Sequence, residues 1–318
     1  MSLKKKMKGT PTCLALPDVF VDHLLYFESF RELEGLLTRS MRSGRARCKQ
    51  DIRLGGNAFN FGYHFSKLGG QSYLFANTSK TVFNMISDSV KGLAFSTKYV
   101  KIGFEPALTV ALEPSNTREP NININHPGSL EDIGPEHFPG ELCGSNFDLI
   151  GLFNWANTRR AAELFSYVLE NVGGTSMLDL ASPQLLGDRL AEVKRFLNRV
   201  HLLVANESEI VYLGVKLGYT AREEPEITAE EISKTGLTVA VHSSEGSMEA
   251  RKGDCIFVKT RRVKPLFRTG AGDAWTAAYA YALLNGFETR KRLGYANRYA
   301  TNYVVGKDFG HRRTVNRA

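Results

Sequence analysis

The chain has 318 residues, a formal charge of +8, 42% hydrophobic residues and 23% charged ones. That balance predicts a buried core, and the lack of any stretch of 18 uncharged apolar residues argues against a membrane span. The positive excess gathers in Lys4-Lys5-Lys6 with Lys8, in Arg39, Arg42, Arg45, Arg47 and Lys49, and in Arg312-Arg313 with Arg317. No aromatic ring interleaves the middle cluster for a base to stack on, so solvated surface charge is expected and a nucleic-acid partner is not. The first eight residues lack the apolar segment of a signal peptide. Cys13, Cys48, Cys143 and Cys255 are far apart and form no Cys-x-x-Cys pair, which reads as reduced thiols in a cytoplasmic protein rather than as a zinc or redox motif.

Thr12–Phe20 reads as a first strand, followed by a polar, charged excursion from Glu28 to Arg53. Gly55-Gly56 then leads into a helical pattern, Ala58–Leu68, closed by Gly69-Gly70, and Ser72–Ala76 is the next strand. Leu108–Glu113 and Asn121–Asn125 read as extended segments around a turn; the second alternates Asn and Ile with period two. After Asn146 the rhythm becomes regular. Strands Phe147–Phe153, Ser176–Leu180, His201–Ala205 and Leu237–His242 alternate with helices Thr158–Val172, Gly187–Leu197 and Ser208–Leu213. Short apolar strands between amphipathic helices imply an α/β fold with a mostly parallel sheet covered on both faces. The polar insertions near 22–53 and 100–125 do not fit that rhythm and are expected to form a small β-sheet lid at its edge. With no repeat, low-complexity tract or long linker, residues 1–318 are expected as a single domain.

The segment Thr269-Gly270-Ala271-Gly272-Asp273-Ala274-Trp275 runs into an Ala-, Tyr- and Leu-rich helix. Glycines at a helix start let backbone N–H groups converge, and the helix dipole favours an anion there. An acidic residue in a first turn is also what an ordinary helix start prefers, so a plain structural role competes with a functional one. Phosphoryl transfer needs both an anion cradle and a base aimed at the attacking hydroxyl, and this segment supplies both.

It resembles the second signature of the ribokinase-like (PfkB) carbohydrate kinases, Asp-Thr-Thr-Gly-Ala-Gly-Asp. Gly55-Gly56-Asn57-Ala58-Phe59-Asn60 resembles that family's first glycine signature, Asn206-Glu207-Ser208-Glu209 its Asn-Glu-x-Glu motif, and Asp22 stands where it keeps a substrate-binding aspartate. The resemblance covers residues 12 to 306 and implies a ribokinase-like, doubly wound sheet with a lid. It implies an ATP- and Mg²⁺-dependent kinase acting on a hydroxyl of a small sugar. A nucleoside kinase on the same fold, or a silent sugar- or nucleotide-binding relative, stands as the alternative. It casts Asp273 as catalytic base, with Gly270, Ala271 and Gly272 as the anion hole. Asp22, Gly56, Asn57 and Asn60 would bind substrate hydroxyls. Glu207 and Glu209 would help hold Mg²⁺, and Asn206, Ser243, Gly246, Arg268 and Asn297 would face the nucleotide. Bland readings accompany these: Asn57, Asn206 and Glu209 as helix caps, Asp22 as a turn residue, Arg268 as a surface arginine.

The sequence also departs from the family. Phe267-Arg268 replaces Asp-Thr, which argues against potassium activation. Val239–Gly246 lacks the Thr and first Gly of the family's nucleotide loop, and a strand-end role satisfied by backbone is expected for His242. A homodimer paired through the lid is an expectation by analogy alone.

Overall fold

A computed structural model describes residues 9–41, 44–45, 47–115, 119–266 and 268–307. The two terminal basic clusters, Arg42 and Phe267 lie outside those residues. The main sheet has nine strands in the order β13-β12-β11-β10-β9-β8-β1-β4-β5. In chain order these are β1 (Thr12–Leu16), β4 (Gln71–Thr78), β5 (Phe95–Ile102), β8 (Asn146–Phe153), β9 (Gly173–Asp179), β10 (Leu202–Asn206), β11 (Thr238–His242), β12 (Gly246–Arg251) and β13 (Asp254–Lys259). All pairings from β11 to β5 are parallel; β12 and β13 close the other edge as antiparallel hairpins. Central strands such as Cys13–Leu16 and Leu202–Ala205 are buried throughout, as a sheet covered on both faces requires.

A second sheet holds β2 (Phe20–Phe27), β3 (Lys49–Gly55), β6 (Ala107–Pro114) and β7 (Ile122–His126), in the order β3-β2-β6-β7. The single strand expected over Thr12–Phe20 is therefore two strands in two sheets. Pro17, with no N–H to give a neighbour, marks the break. The second insertion also starts later than expected, because residues 100–102 still belong to β5. The first contains an unexpected helix, α1 (Phe30–Ser40), capped by Ser29 and with no buried residue.

Helices α2 (Asn57–Lys67), α3 (Lys80–Ser89), α4 (Ala161–Asn171), α5 (Leu190–Phe196), α6 (Glu207–Lys216), α7 (Pro225–Ser233), α8 (Ala271–Leu284) and α9 (Thr289–Val304) cover the main sheet. One apolar cluster lies under α4, α5, α6 and α7, another under α2, α8 and α9. Helix α8 packs on both α2 and α9 and is apolar all round, as a helix without a solvent face must be. The strand order reverses between β1 and β8, and a crevice opens there beyond the strands' carboxyl ends. Among the described residues no helix is long and apolar enough to cross a membrane, and the four cysteines are free thiols.

Candidate active site

The crevice is a cleft of about 360 Å³ between the main sheet's carboxyl edge and the small sheet. Strand ends supply its floor: Asn154 just past β8, Asp179 on β9, Asn206 on β10 and His242 on β11. The small sheet adds Phe20, Asp22, Thr109, Asn123 and Asn125, and the tips of α2 and α8 close the remaining side. Eight asparagines, four carboxylates and a single cationic side chain, Arg268, line it.

Asp273 is the third residue of α8 and is buried. Its Oδ1 accepts a hydrogen bond from Asn57 Nδ2 at 2.9 Å and its Oδ2 one from Asn60 Nδ2 at 2.8 Å. Burial raises its pKa from 3.8 to about 8; the two amides pull it down, and the charges of Asp18 and Asp22 push it up. Gly270, at φ +84°, turns the chain into the helix; a Cβ there would lie 2.8 Å from the Tyr303 hydroxyl. That hydroxyl donates to Thr269 O at 2.8 Å and so fixes the turn.

Of the three residues expected to form the anion hole, Ala271 does not serve. Its N–H donates to Arg268 O at 3.1 Å, and it is absent from the cleft lining. The N–H groups of Gly272 and Asp273 have no acceptor among the described residues, so these two form the tip's free donors.

Asn57 and Asn60 reach Asp273 because α2 is held from outside. Gly56 (φ +92°) has no side chain to cap the helix, and the cap comes from Asp18, one residue past Pro17. Asp18 accepts from Asn57 N at 2.8 Å, Ala58 N at 2.9 Å and Asn154 Nδ2 at 3.0 Å. This carboxylate is 1% exposed, and burial raises its pKa. A Cβ on Gly56 would sit 2.9 Å from its Oδ2 and 2.9 Å from Val19 Cα. The sequence reading missed Asp18. Asn57 is thus not the cap of its own helix, and its amide is free for Asp273.

Asp22 faces the cleft from β2, with its pKa raised to about 6 by burial and restrained by Thr109 and Arg53. It fits against Gly55, where a Cβ would be 1.9 Å from Asp22 Oδ2. Asn206 and Glu209 form a reciprocal capping box: Asn206 Oδ1 accepts from Glu209 N at 2.9 Å and Glu209 Oε2 from Asn206 N at 3.0 Å. Glu209 Oε1 also accepts from Ser182 N at 3.1 Å, and both residues still line the cleft. Glu207 does not. Asp179, also missed from sequence, is buried with its pKa raised well above the usual range, first by burial and then by the charges of Glu209 and Asp273.

Three expected nucleotide contacts are engaged elsewhere. Ser243 Oγ accepts from Glu245 N and Gly246 N within the β11–β12 turn. Gly246 packs where a Cβ would meet Phe257 and Val258 O at 2.5 Å. Asn297 is buried, accepting from Ser247 Oγ at 2.7 Å and Trp275 Nε1 at 2.9 Å and donating to Val258 O at 3.0 Å. Its amide fastens α9 to α8 and the sheet and leaves nothing for a ligand. Arg268 does line the cleft, with Nη1 donating to Glu119 O at 3.0 Å. Beside it Thr269 Oγ1 donates to Glu113 on β6, which ties the glycine turn to the small sheet.

Comparison with curated protein sequences gives no match. Solved structures share the fold at low identity. The ribokinase of Thermotoga maritima superposes with a TM-score of 0.71 at 16% identity, over 93% of each chain. The nucleoside kinase of Burkholderia thailandensis, solved in complex with inosine, gives 0.72 at 15% identity, over 93% of this chain and 91% of its own. The ribokinase of Cryptococcus neoformans var. grubii serotype A, solved in complex with ADP, gives 0.69 at 16% identity, over 95% of each chain. Residues 51–307, which hold both glycine signatures, match the family model described as pfkB family carbohydrate kinase, and the chain belongs to that family.

Proposed function

We propose that the protein is a kinase that moves the terminal phosphoryl group of ATP to a hydroxyl of a small sugar. One observation carries the reading: the Asp273 carboxylate is held by two amides at a helix tip whose free N–H groups face the same cleft. In the forward step Asp273 takes the proton of the acceptor hydroxyl as its oxygen bonds to phosphorus. The bond from phosphorus to the leaving diphosphate breaks, and ADP departs. The N–H groups of Gly272 and Asp273 stabilise the charge on the oxygens being transferred. Asp22, Asn57, Asn60 and the backbone at Gly56 hold the acceptor, with Asp22 accepting from sugar hydroxyls. Arg268, at the mouth, has donors left for a phosphate.

Magnesium fits the donor set. Asp179 is buried among carboxylates with one backbone donor, Ala181 N at 3.2 Å, and Glu209 and Asn206 stand on the adjacent strand end. Among the described residues no three or more His, Cys, Asp or Glu side chains stand close enough to hold an ion directly. Asp179, Glu209 and Asn206 would therefore hold it through waters and the nucleotide phosphates, as this ion prefers. When bound it would neutralise the phosphates' charge. Glu207 drops out of this assignment.

A sugar is favoured over a nucleoside because Phe20 is the one aromatic ring lining the cleft, while amides dominate it. A base would want a stacking face; a polyol wants donors and acceptors. A cytoplasmic location belongs to this reading, supported by the free thiols. So does a homodimer, supported by the exposed Ile52, Leu108, Ile122 and Ile124 on the outer face of the small sheet. A panel of sugars and nucleosides with ATP and Mg²⁺, read by ADP release, tests the function. Turnover on sugars is expected. Preferential turnover on nucleosides would replace the acceptor assignment, and tight sugar binding with no turnover on any acceptor would mark a silent relative.

A further inference from the structure

His242 was expected to be a strand-end histidine satisfied by backbone. It is not: among the described residues neither ring nitrogen has a hydrogen-bond partner, although the ring is largely covered and lines the cleft. Its position is set from two sides. One face lies against Trp275 of α8, with ring centroids 5.2 Å apart. Its Cε1–Nε2 edge points at the helix tip, so that a Cβ on Gly272 would be 3.0 Å from Cε1 and 3.3 Å from Nε2. Glycine at 272 is what lets the imidazole reach the free N–H groups of the tip.

The place of His242 along the cleft fixes which substrate it meets. Asn57 and Asn60 mark the acceptor side of Asp273, since the attacking hydroxyl must reach that carboxylate. In-line displacement puts the leaving group opposite. On that opposite side stand the paired strand ends Asn206 and His242, which are register partners on β10 and β11. The neighbouring turn has no groups to offer, because Ser243 and Gly246 are engaged within the hairpin.

We infer that His242 is a specificity-determining residue on the phosphate-donor side, giving its Nε2–H to the phosphate chain of the nucleotide. The inference rests on the kinase reading and deepens it. Burial lowers the imidazole's pKa to about 4, so the group is a neutral donor in the free protein, and the site does not carry a cation until a phosphate arrives.

The test is ADP binding by calorimetry in the full chain, without acceptor, for wild type, His242→Leu and His242→Gln. Trp275, which touches the ring, gives a second readout through its fluorescence. Loss of a hydrogen bond to a charged phosphate predicts a Kd for ADP about 10-fold to 100-fold weaker in His242→Leu, with sugar affinity unchanged. His242→Gln keeps an N–H donor and is expected to retain most of the affinity. A residue that merely packs on Trp275 would lower the melting temperature and leave the ADP Kd alone. Wild-type binding of ADP with equal affinity in both variants overturns this inference only. A wild type that binds no nucleotide overturns the kinase reading along with it.

Discussion

At the scale of single residues the site turns on one carboxyl group. Asp273 has its pKa raised from 3.8 to about 8, mainly by burial. As a base it must be ionised, so kcat/KM is expected to climb with pH through about 8. Asp273→Asn removes the base and is expected to lower turnover roughly 10²-fold or more, with ADP and sugar still bound. Near-normal turnover in that variant would remove Asp273 from the mechanism. The same shift has a consequence for stability, with its own sign. The folded state favours the protonated carboxyl, so that contribution is full below pH 3.8 and is lost as pH rises through about 8. Asparagine has no proton to lose. The melting temperature of Asp273→Asn should therefore exceed that of wild type by a margin that grows across this window, measurable by calorimetry at several pH values. Asp273 was legible in the sequence because its glycines and helix are contiguous with it. Its partners were legible only through a resemblance, since Asn57 lies 216 positions away.

At the scale of elements, helix starts show what a sequence discloses. The Asn206–Glu209 capping box is local, three residues apart, and could be read directly. The cap on α2 could not: Asp18 is 39 positions from Asn57, and no spacing rule joins them. Ser243, Gly246 and Asn297 failed for the opposite reason. Their residue types suit a ligand, but the hairpin and the α8–α9 packing engage every group they have. The Asp18 cap also carries a test. Asp18→Ala leaves two N–H groups of α2 and the Asn154 amide without their acceptor, at an expected cost of about 2 kcal/mol in urea unfolding. Because α2 also aims Asn57 and Asn60, KM for the sugar should rise as well. Unchanged KM alongside the stability loss would confine Asp18 to a structural role.

At the scale of the whole molecule, the alternation of strand and helix after Asn146 was enough to place a parallel sheet. Strand order and the second sheet's exact extent came only with the coordinates, because register depends on which distant segments pair. The small sheet has two unlike faces: Asp22, Thr109, Asn123 and Asn125 look into the cleft, and Ile52, Leu108, Ile122 and Ile124 are exposed on the other side. Ile124→Lys should turn a dimer into a monomer in sedimentation experiments while leaving the fold intact; an unchanged species would place any interface elsewhere. The fit of Asp22 against Gly55 has a further consequence for anyone redesigning the acceptor. With only 1.9 Å between a new Cβ at 55 and the aspartate oxygen, the two positions behave as one variable. Gly55→Ala alone must shove the sheet outward, whereas the same change on an Asp22→Ala background enters vacated space. A double-mutant cycle over the pair should return a coupling well away from zero, so libraries that vary the two positions separately will pass over the workable combinations.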